Sequence, residues 1–264
     1  MSESRLDITW AQLRAEGRSA LIPYLTAGYP TIASSLAALR AATEVADIIE
    51  VGVPFSDPLA DGPTIQRSTF EALRQGMTLK GTLDLIGEAD LAKPVVVFSY
   101  LNPVLSYGLE RFLHDSAQLG IAGLLLTDLP AGSDPGIESS VAQSSLDLIR
   151  LIAPTTRPER LTLAVAGATG FIYLVARLGV TGASTALAPD LPGTINAVRA
   201  ATQLPIAVGF GISTPAQAAT VATLADGVVV GSALVEIVGS HGVGAAVEFL
   251  RGMREAMDGA EARR

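Results

Sequence analysis

The sequence predicts a single (β/α)8, or TIM-type, barrel, and three observations carry that prediction. Short apolar runs alternate with helical segments eight times along 264 residues, without a break in composition. The runs are short and apolar, as in parallel strands buried on both faces. The glycine-rich turns come late, whereas an open doubly wound sheet would usually carry a phosphate loop after its first strand. Residues 1–264 are therefore read as one domain. An extra N-terminal helix is expected over the bottom of the barrel, with additional helices around an anion site.

Taken in order, the chain opens with an amphipathic segment, Glu3 to Glu16. Strand one is Ala20–Leu25; Thr26-Ala27-Gly28-Tyr29-Pro30 stops it, and an alanine-rich helix runs to about Val45. Strand two begins at Ala46, ends in a proline-rich loop, and gives way to helical material from Thr64 to Ala89. Strand three, Pro94–Ser99, ends at Tyr100-Leu101-Asn102-Pro103, with a helix near Leu109–Leu119. Strand four, Ala122–Leu126, meets Thr127-Asp128-Leu129-Pro130, and a helix of about Asp134–Ser144 follows. Strand five, Asp147–Ile152, stops at Ala153-Pro154 before a helix around Pro158–Ala166. Strand six, Phe171–Val175, leads into a loop rich in Gly, Thr and Ala. Pro192–Thr202 is helical, strand seven is Pro205–Gly209, and a helix at Pro215–Leu224 precedes strand eight, Gly227–Val230. The remainder reads as helix.

Composition removes several function classes. The hydrophobic fraction is 49% and the charged fraction 17%, which supports a large core and argues against disorder. Net charge is -8, and the 18 cations are mostly arginines spread singly, so no basic stripe for nucleic acid is present. With no cysteine and only His114 and His241, neither a disulfide framework nor a zinc site is expected. No signal-type N-terminus and no run of ~20 apolar residues is seen, which leads to the expectation of a cytoplasmic protein.

Chemistry concentrates in strand two and its loop. Glu50 is set into an apolar run, where a carboxylate is costly to bury without a partner or a task. The loop then brings up Asp61 at the same strand end, a pairing that suits one proton donor and one acceptor. A strand-end cap and a helix start would account for the same spacing. Tyr173, in strand six, could aim its hydroxyl at a buried carboxylate or simply pack. Three late turns, Gly179-Val180-Thr181-Gly182-Ala183, Gly209-Phe210-Gly211-Ile212-Ser213 and Gly231-Ser232-Ala233-Leu234, offer backbone N–H groups to an anion where barrels commonly hold phosphate.

These residues carry a family resemblance. The stretch Glu50-Val51-Gly52-Val53-Pro54-Phe55-Ser56-Asp57-Pro58-Leu59-Ala60-Asp61-Gly62-Pro63-Thr64-Ile65-Gln66 resembles the signature of tryptophan synthase alpha chains. The resemblance continues through Tyr24-Leu25-Thr26-Ala27-Gly28-Tyr29-Pro30, Asn102-Pro103, Asp128-Leu129-Pro130 and the three glycine turns. It implies retro-aldol cleavage of indole-3-glycerol phosphate to indole and glyceraldehyde 3-phosphate. Glu50 matches the principal acid–base, with a pKa raised by its apolar strand; Asp61 matches the group facing the indole N–H, on a more solvated loop. Tyr173 matches a tyrosine that hydrogen-bonds the glutamate. Gly182, Phe210, Gly211, Gly231 and Ser232 match phosphate-binding positions, and Thr181 a threonine of the mobile loop that closes on Asp61. Leu21, Tyr100, Leu125, Thr127 and Ile152 fall where the family forms its indole pocket.

The resemblance further implies a beta-chain partner in an αββα complex, contacted by Ser56-Asp57-Pro58 and Asn102-Pro103. Pyridoxal phosphate would belong to that partner, and no cofactor or metal to this chain. Departures lie at Leu21, where some relatives place Phe, and at Leu101-Asn102-Pro103. Other outcomes stay open: a different phosphate-binding barrel, a stand-alone indole-releasing lyase, or a non-catalytic activator of a beta chain. An indole-glycerol-phosphate synthase would be expected to use a catalytic lysine, and Lys80 and Lys93 stand on helical or linker segments. Retention of both Glu50 and Asp61 argues against a pure activator.

Overall fold

The computed structural model describes residues 3–176 and 190–262. Eight strands, β1 (Ala20–Thr26), β2 (Ile49–Gly52), β3 (Val95–Ser99), β4 (Gly123–Leu126), β5 (Asp147–Ile152), β6 (Ile172–Val175), β7 (Ile206–Gly209) and β8 (Gly227–Val230), close into a barrel in chain order. Every pairing is parallel, and β1 meets β8 with Ala20 opposite Gly227. The expected barrel is the observed one.

Helix α1 (Arg5–Glu16) starts in a capping box: Ser4 Oγ accepts the Asp7 N–H while the Asp7 carboxylate accepts the Ser4 N–H. It buries Leu6, Trp10 and Leu13 across the N-terminal ends of the strands. Trp10 meets Phe171 edge-on at 5.6 Å, and Leu6 reaches so close to Gly170 that a β-carbon there would lie 2.9 Å from it. That end of the barrel is plugged.

The outer layer contains α2 (Ile32–Ala42), α3 (Pro63–Arg74), α4 (Leu79–Ala89), α5 (Leu101–Tyr107), α6 (Leu109–Gln118), α7 (Pro135–Ala142), α8 (Pro158–Ala164), α9 (Leu191–Ala201), α10 (Pro215–Ala222) and α11 (Ser232–Glu261). Two elements differ from expectation. The helical material after the β2 loop is divided in two, because Gly76 turns left-handed at φ 83° and Thr78 caps α4 by accepting the Gly81 N–H. The segment Tyr100-Leu101-Asn102-Pro103 is the start of α5. Pro103 sits in a first turn, where its missing N–H costs nothing, and Asp128 accepts the Leu101 N–H at 2.7 Å.

By length and composition α11 could cross a membrane, but Gly242 (φ 80°, ψ -179°) breaks it. Its Leu234, Val235, Val238, Leu250, Met253 and Met257 are buried in the protein's hydrophobic core, as the packed face of an outer helix.

Ring contacts fix which side chains face inward. Tyr24 of β1 meets Phe98 of β3 at 5.3 Å, and Phe98 meets Tyr173 of β6 at 6.3 Å. Strands that are not neighbours touch only through the interior. Register then carries the inward face around the barrel: Tyr24 pairs with Glu50, Phe98 with Leu125, Leu125 with Ile149, Leu151 with Tyr173, and Tyr173 with Ala207. Side chains alternate along a strand, so Leu21 and Ile152 face the helices instead.

Candidate active site

Glu50 projects into the barrel near the C-terminal end of β2, where the strand pattern places functional groups of this architecture. It is fully buried, and neither carboxylate oxygen has a hydrogen-bond partner among the described residues. Burial alone raises its pKa from 4.5 to about 8, so at neutral pH it holds a proton. A buried acid with no partner is costly as structure. As a proton donor awaiting a substrate it is well placed.

Asp61 arrives on the β2–α3 loop. Its Oδ2 accepts the Tyr100 hydroxyl at 3.0 Å, and that hydroxyl accepts the Ala60 N–H at 2.9 Å. Gln66 donates to the Asp61 carbonyl at 2.9 Å, and Phe55 packs on Tyr100 at 5.1 Å. The loop is therefore tied down onto the end of β3, and the solvated Asp61 expected from the sequence is buried instead. Burial raises its pKa to about 6, with the Tyr100 hydrogen bond pulling the other way. It remains mostly ionised at neutral pH. The two carboxylates thus occupy opposite protonation states.

The tyrosines need a correction. Tyr173 does not hydrogen-bond Glu50: its hydroxyl runs over Gly209, where a β-carbon would lie 2.1 Å from Oη. Burial, then the nearby Glu50, raises its phenol well above the usual range, which keeps it a neutral donor. Tyr24 fills the mirror position: its hydroxyl lies over Gly52, where a β-carbon would be 2.0 Å away. Burial, then Asp61 and, more weakly, Glu50, raise its pKa. Sequence reasoning gave Tyr24 no role; its signal was that it is the one aromatic in its strand.

The indole-pocket residues divide. Tyr100, Leu125 and Thr127 continue the inward faces of β3 and β4. Leu21 is corrected to the helix side, near the bottom of β1, with its N–H donated to Asp47 at 2.8 Å. Tyr24, opposite Glu50, occupies the level Leu21 was expected to reach. Ile152 likewise faces the outer layer, and Leu151 is the inward residue.

At the anion corner, β7 ends in consecutive left-handed residues, Phe210 (φ 70°) and Gly211 (φ 90°). A non-glycine residue in that conformation costs about 1–2 kcal/mol, and such strain gathers at functional sites. The Phe210 ring meets Tyr173 edge-on at 5.8 Å, tying the corner to the barrel interior. Gly231 starts α11 without a side-chain cap, so the N–H groups from Ser232 onward stand open at the mouth. Thr181 and Gly182 lie outside the described residues. No cluster of metal-ligating side chains is found among the described residues.

Comparison with known proteins fits this geometry. A profile of the family described as tryptophan synthase alpha chain matches residues 10–259. The tryptophan synthase alpha chain of Acidiphilium cryptum is 49% identical over 239 residues, 88% of this chain and 86% of that one. The alpha chain of Caulobacter sp. strain K31 is 45% identical over 240 residues, 89% and 87%. Among solved structures, Mycobacterium tuberculosis tryptophan synthase superposes with a TM-score of 0.90 at 40% identity, covering 97% of this chain and 99% of that one. Tryptophan synthase subunit alpha of Legionella pneumophila superposes with a TM-score of 0.88 at 32% identity, covering 98% and 100%.

Proposed function

Because this chain belongs to the tryptophan synthase alpha chain family, we propose that Glu50 and Asp61 divide between them the proton transfers of that family's reaction. The chain is a lyase that cleaves indole-3-glycerol phosphate to indole and glyceraldehyde 3-phosphate. Breaking the ring–side-chain bond requires ring carbon C3 to be protonated, since an aryl carbanion is a poor leaving group. Glu50, protonated near neutral pH, gives that proton. The positive charge that develops at the indole nitrogen is met by the Asp61 carboxylate. Glu50, now a carboxylate, takes the proton of the glycerol hydroxyl as the carbon–carbon bond breaks and the aldehyde forms. The bonding electrons restore the aromatic ring, and Glu50 ends protonated as it began.

The observation that carries this assignment is the unpartnered, buried Glu50, whose pKa of about 8 is paired with an Asp61 at about 6. Tyr173 and Tyr24 act as neutral walls and donors beside them. Phe210, Gly211, Gly231 and Ser232, with Gly182, hold the phosphate and so supply binding energy remote from the reacting carbon. Thr181 belongs to the lid. Tyr100, Leu125, Thr127 and Tyr24 line the indole ring's place. The proton transfers need no cofactor in this chain.

The chain has a small-molecule substrate and a beta-chain partner. The finer assembly, an αββα heterotetramer with pyridoxal phosphate on the beta chain, belongs to the proposal, as does a cytoplasmic setting. Leu59, 87% exposed on the β2 loop, and Leu105, 48% exposed on α5 beside Asn102, give the mouth an apolar rim suited to that contact.

The experiment is indole release from indole-3-glycerol phosphate by wild type and Glu50→Gln, with and without a beta chain. The amide keeps the shape but transfers no proton, so a loss of at least ~10²-fold is expected with phosphate-ligand binding preserved. A variant as active as wild type would assign Glu50 a structural role and pass the acid's part to another group.

A further inference from the structure

A cavity of about 400 Å³ opens between the β4–α7 connection, the end of β5, and α8. Thr127, Leu151 and Ile152 stand on its wall, so it borders the barrel mouth, but Glu50, Asp61, Tyr173 and Phe210 do not line it. It is large enough for a small organic molecule.

Its lining is amphipathic and cationic. Arg150, on the outer face of β5, is 3% exposed. Its Nη1 donates to the Leu129 carbonyl at 3.1 Å and its Nη2 to Glu138 at 2.6 Å, while its Nε has no partner among the described residues. Glu138 balances the charge of Arg150. Arg157 and Arg160 at the rim are a surplus: Arg157 faces only the exposed Glu159 at 3.7 Å, and Arg160 has no ion pair among the described residues. Leu129 supplies a buried apolar wall, and Leu163 is left 53% exposed at the opening.

We infer that this cavity is a second binding site, for a small organic anion with an apolar body. The carboxylate or phosphate head meets Arg157 and Arg160; the body covers Leu129 and Leu163. Guanidinium groups favour planar, bidentate acceptors, which makes a carboxylate the simplest probe.

The test is calorimetric titration of the whole chain with 4-phenylbutyrate, with its neutral amide as control. Indole plus glycerol 3-phosphate, whose own binding is measured first, fills the barrel mouth. Saturable binding of the carboxylate should persist with the mouth filled, and the amide should bind ~10-fold more weakly. Arg157→Ala/Arg160→Ala should cost ~10-fold in affinity without moving the urea midpoint, since both side chains are exposed. Leu163→Glu, also at an exposed position, should abolish binding by placing a carboxylate where the apolar body packs. A crystal with the probe would show it against Leu129. Loss of all binding when the mouth is filled, equal affinity in the arginine variant, or no saturable binding would each overturn the inference.

Discussion

Replacing Glu50 by Gln should stabilise the protein increasingly as pH rises. The folded state holds the Glu50 proton up to about pH 8, whereas the unfolded chain releases it near 4.5. Between those values the folded state binds more protons than the unfolded one, so its stability falls with pH. The contribution is intact below about 4.5 and is lost as pH rises toward 8. Integrated for one site, the loss is about 1 kcal/mol at pH 5 and about 4 kcal/mol at pH 8. The Gln variant has nothing to titrate there. Asp61 and every other group cancel when wild type and variant are compared, because burial alone shifts Glu50. The stability of the variant relative to wild type should therefore grow by about 3 kcal/mol from pH 5 to pH 8, whatever constant offset the amide brings. Urea unfolding of both proteins at pH 5, 6, 7 and 8 measures it. A difference that stayed flat to within about 0.5 kcal/mol would mean an ordinary Glu50 pKa. The general-acid role at neutral pH would then fail with it.

The pH–rate profile of kcat/KM should be bell-shaped, falling below about 6 as Asp61 protonates and above about 8 as Glu50 ionises. Asp61→Asn should remove the acid limb and cost ~10²-fold or more in rate, while a flat profile would contradict the division of roles. Gly209→Ala would put a methyl 2.1 Å from the Tyr173 hydroxyl, so the ring must move. A loss of about 1–3 kcal/mol in thermal unfolding is expected, with reduced kcat. Arg254→Ala should cost about 3–5 kcal/mol in urea unfolding, because it strips a partner from the buried Asp47 and from Glu261, yet leave kcat unchanged where the variant is folded.

Strand order and barrel closure were legible because parallel strands announce themselves as short apolar runs between helices. β5 and β8 begin and end where expected, since Asp147, Ala153-Pro154 and Gly227 mark their limits in the sequence itself. The division between α3 and α4 was not legible, because Gly76 and Thr78 look like tolerated helix residues until their φ angles are known. α5 was hidden by Pro103, which reads as a stop and in fact occupies a first turn. The site failed in the same physical way. Leu21 and Ile152 lie on active-site strands, but a one-residue step reverses the face, and only register with Glu50 and Tyr173 shows which side each takes. Nor could a sequence say that Tyr100 holds Asp61 out of water, or that the Tyr173 hydroxyl turns toward Gly209.

Two acidic residues three positions apart separate the structural carboxylate from the chemical one. Asp47 and Glu50 are both buried, and burial raises the pKa of each. Asp47, at the barrel bottom, is answered on every side: it accepts the Leu21 N–H at 2.8 Å and faces Arg254 at 3.5 Å and Arg18 at 3.9 Å. Arg254 in turn donates to the Ser19 carbonyl and pairs with Asp258 and Glu261 of α11, which ties the last helix to the first strand. Glu50 has none of this. A fold selected only for stability would partner it or replace it with an apolar residue, since an unsatisfied buried acid contributes nothing. The plugged, ion-paired bottom carries the stability that lets the mouth keep an unpartnered acid. It is this contrast between residues three positions apart, rather than burial or pKa alone, that marks Glu50 as the group that acts on a substrate.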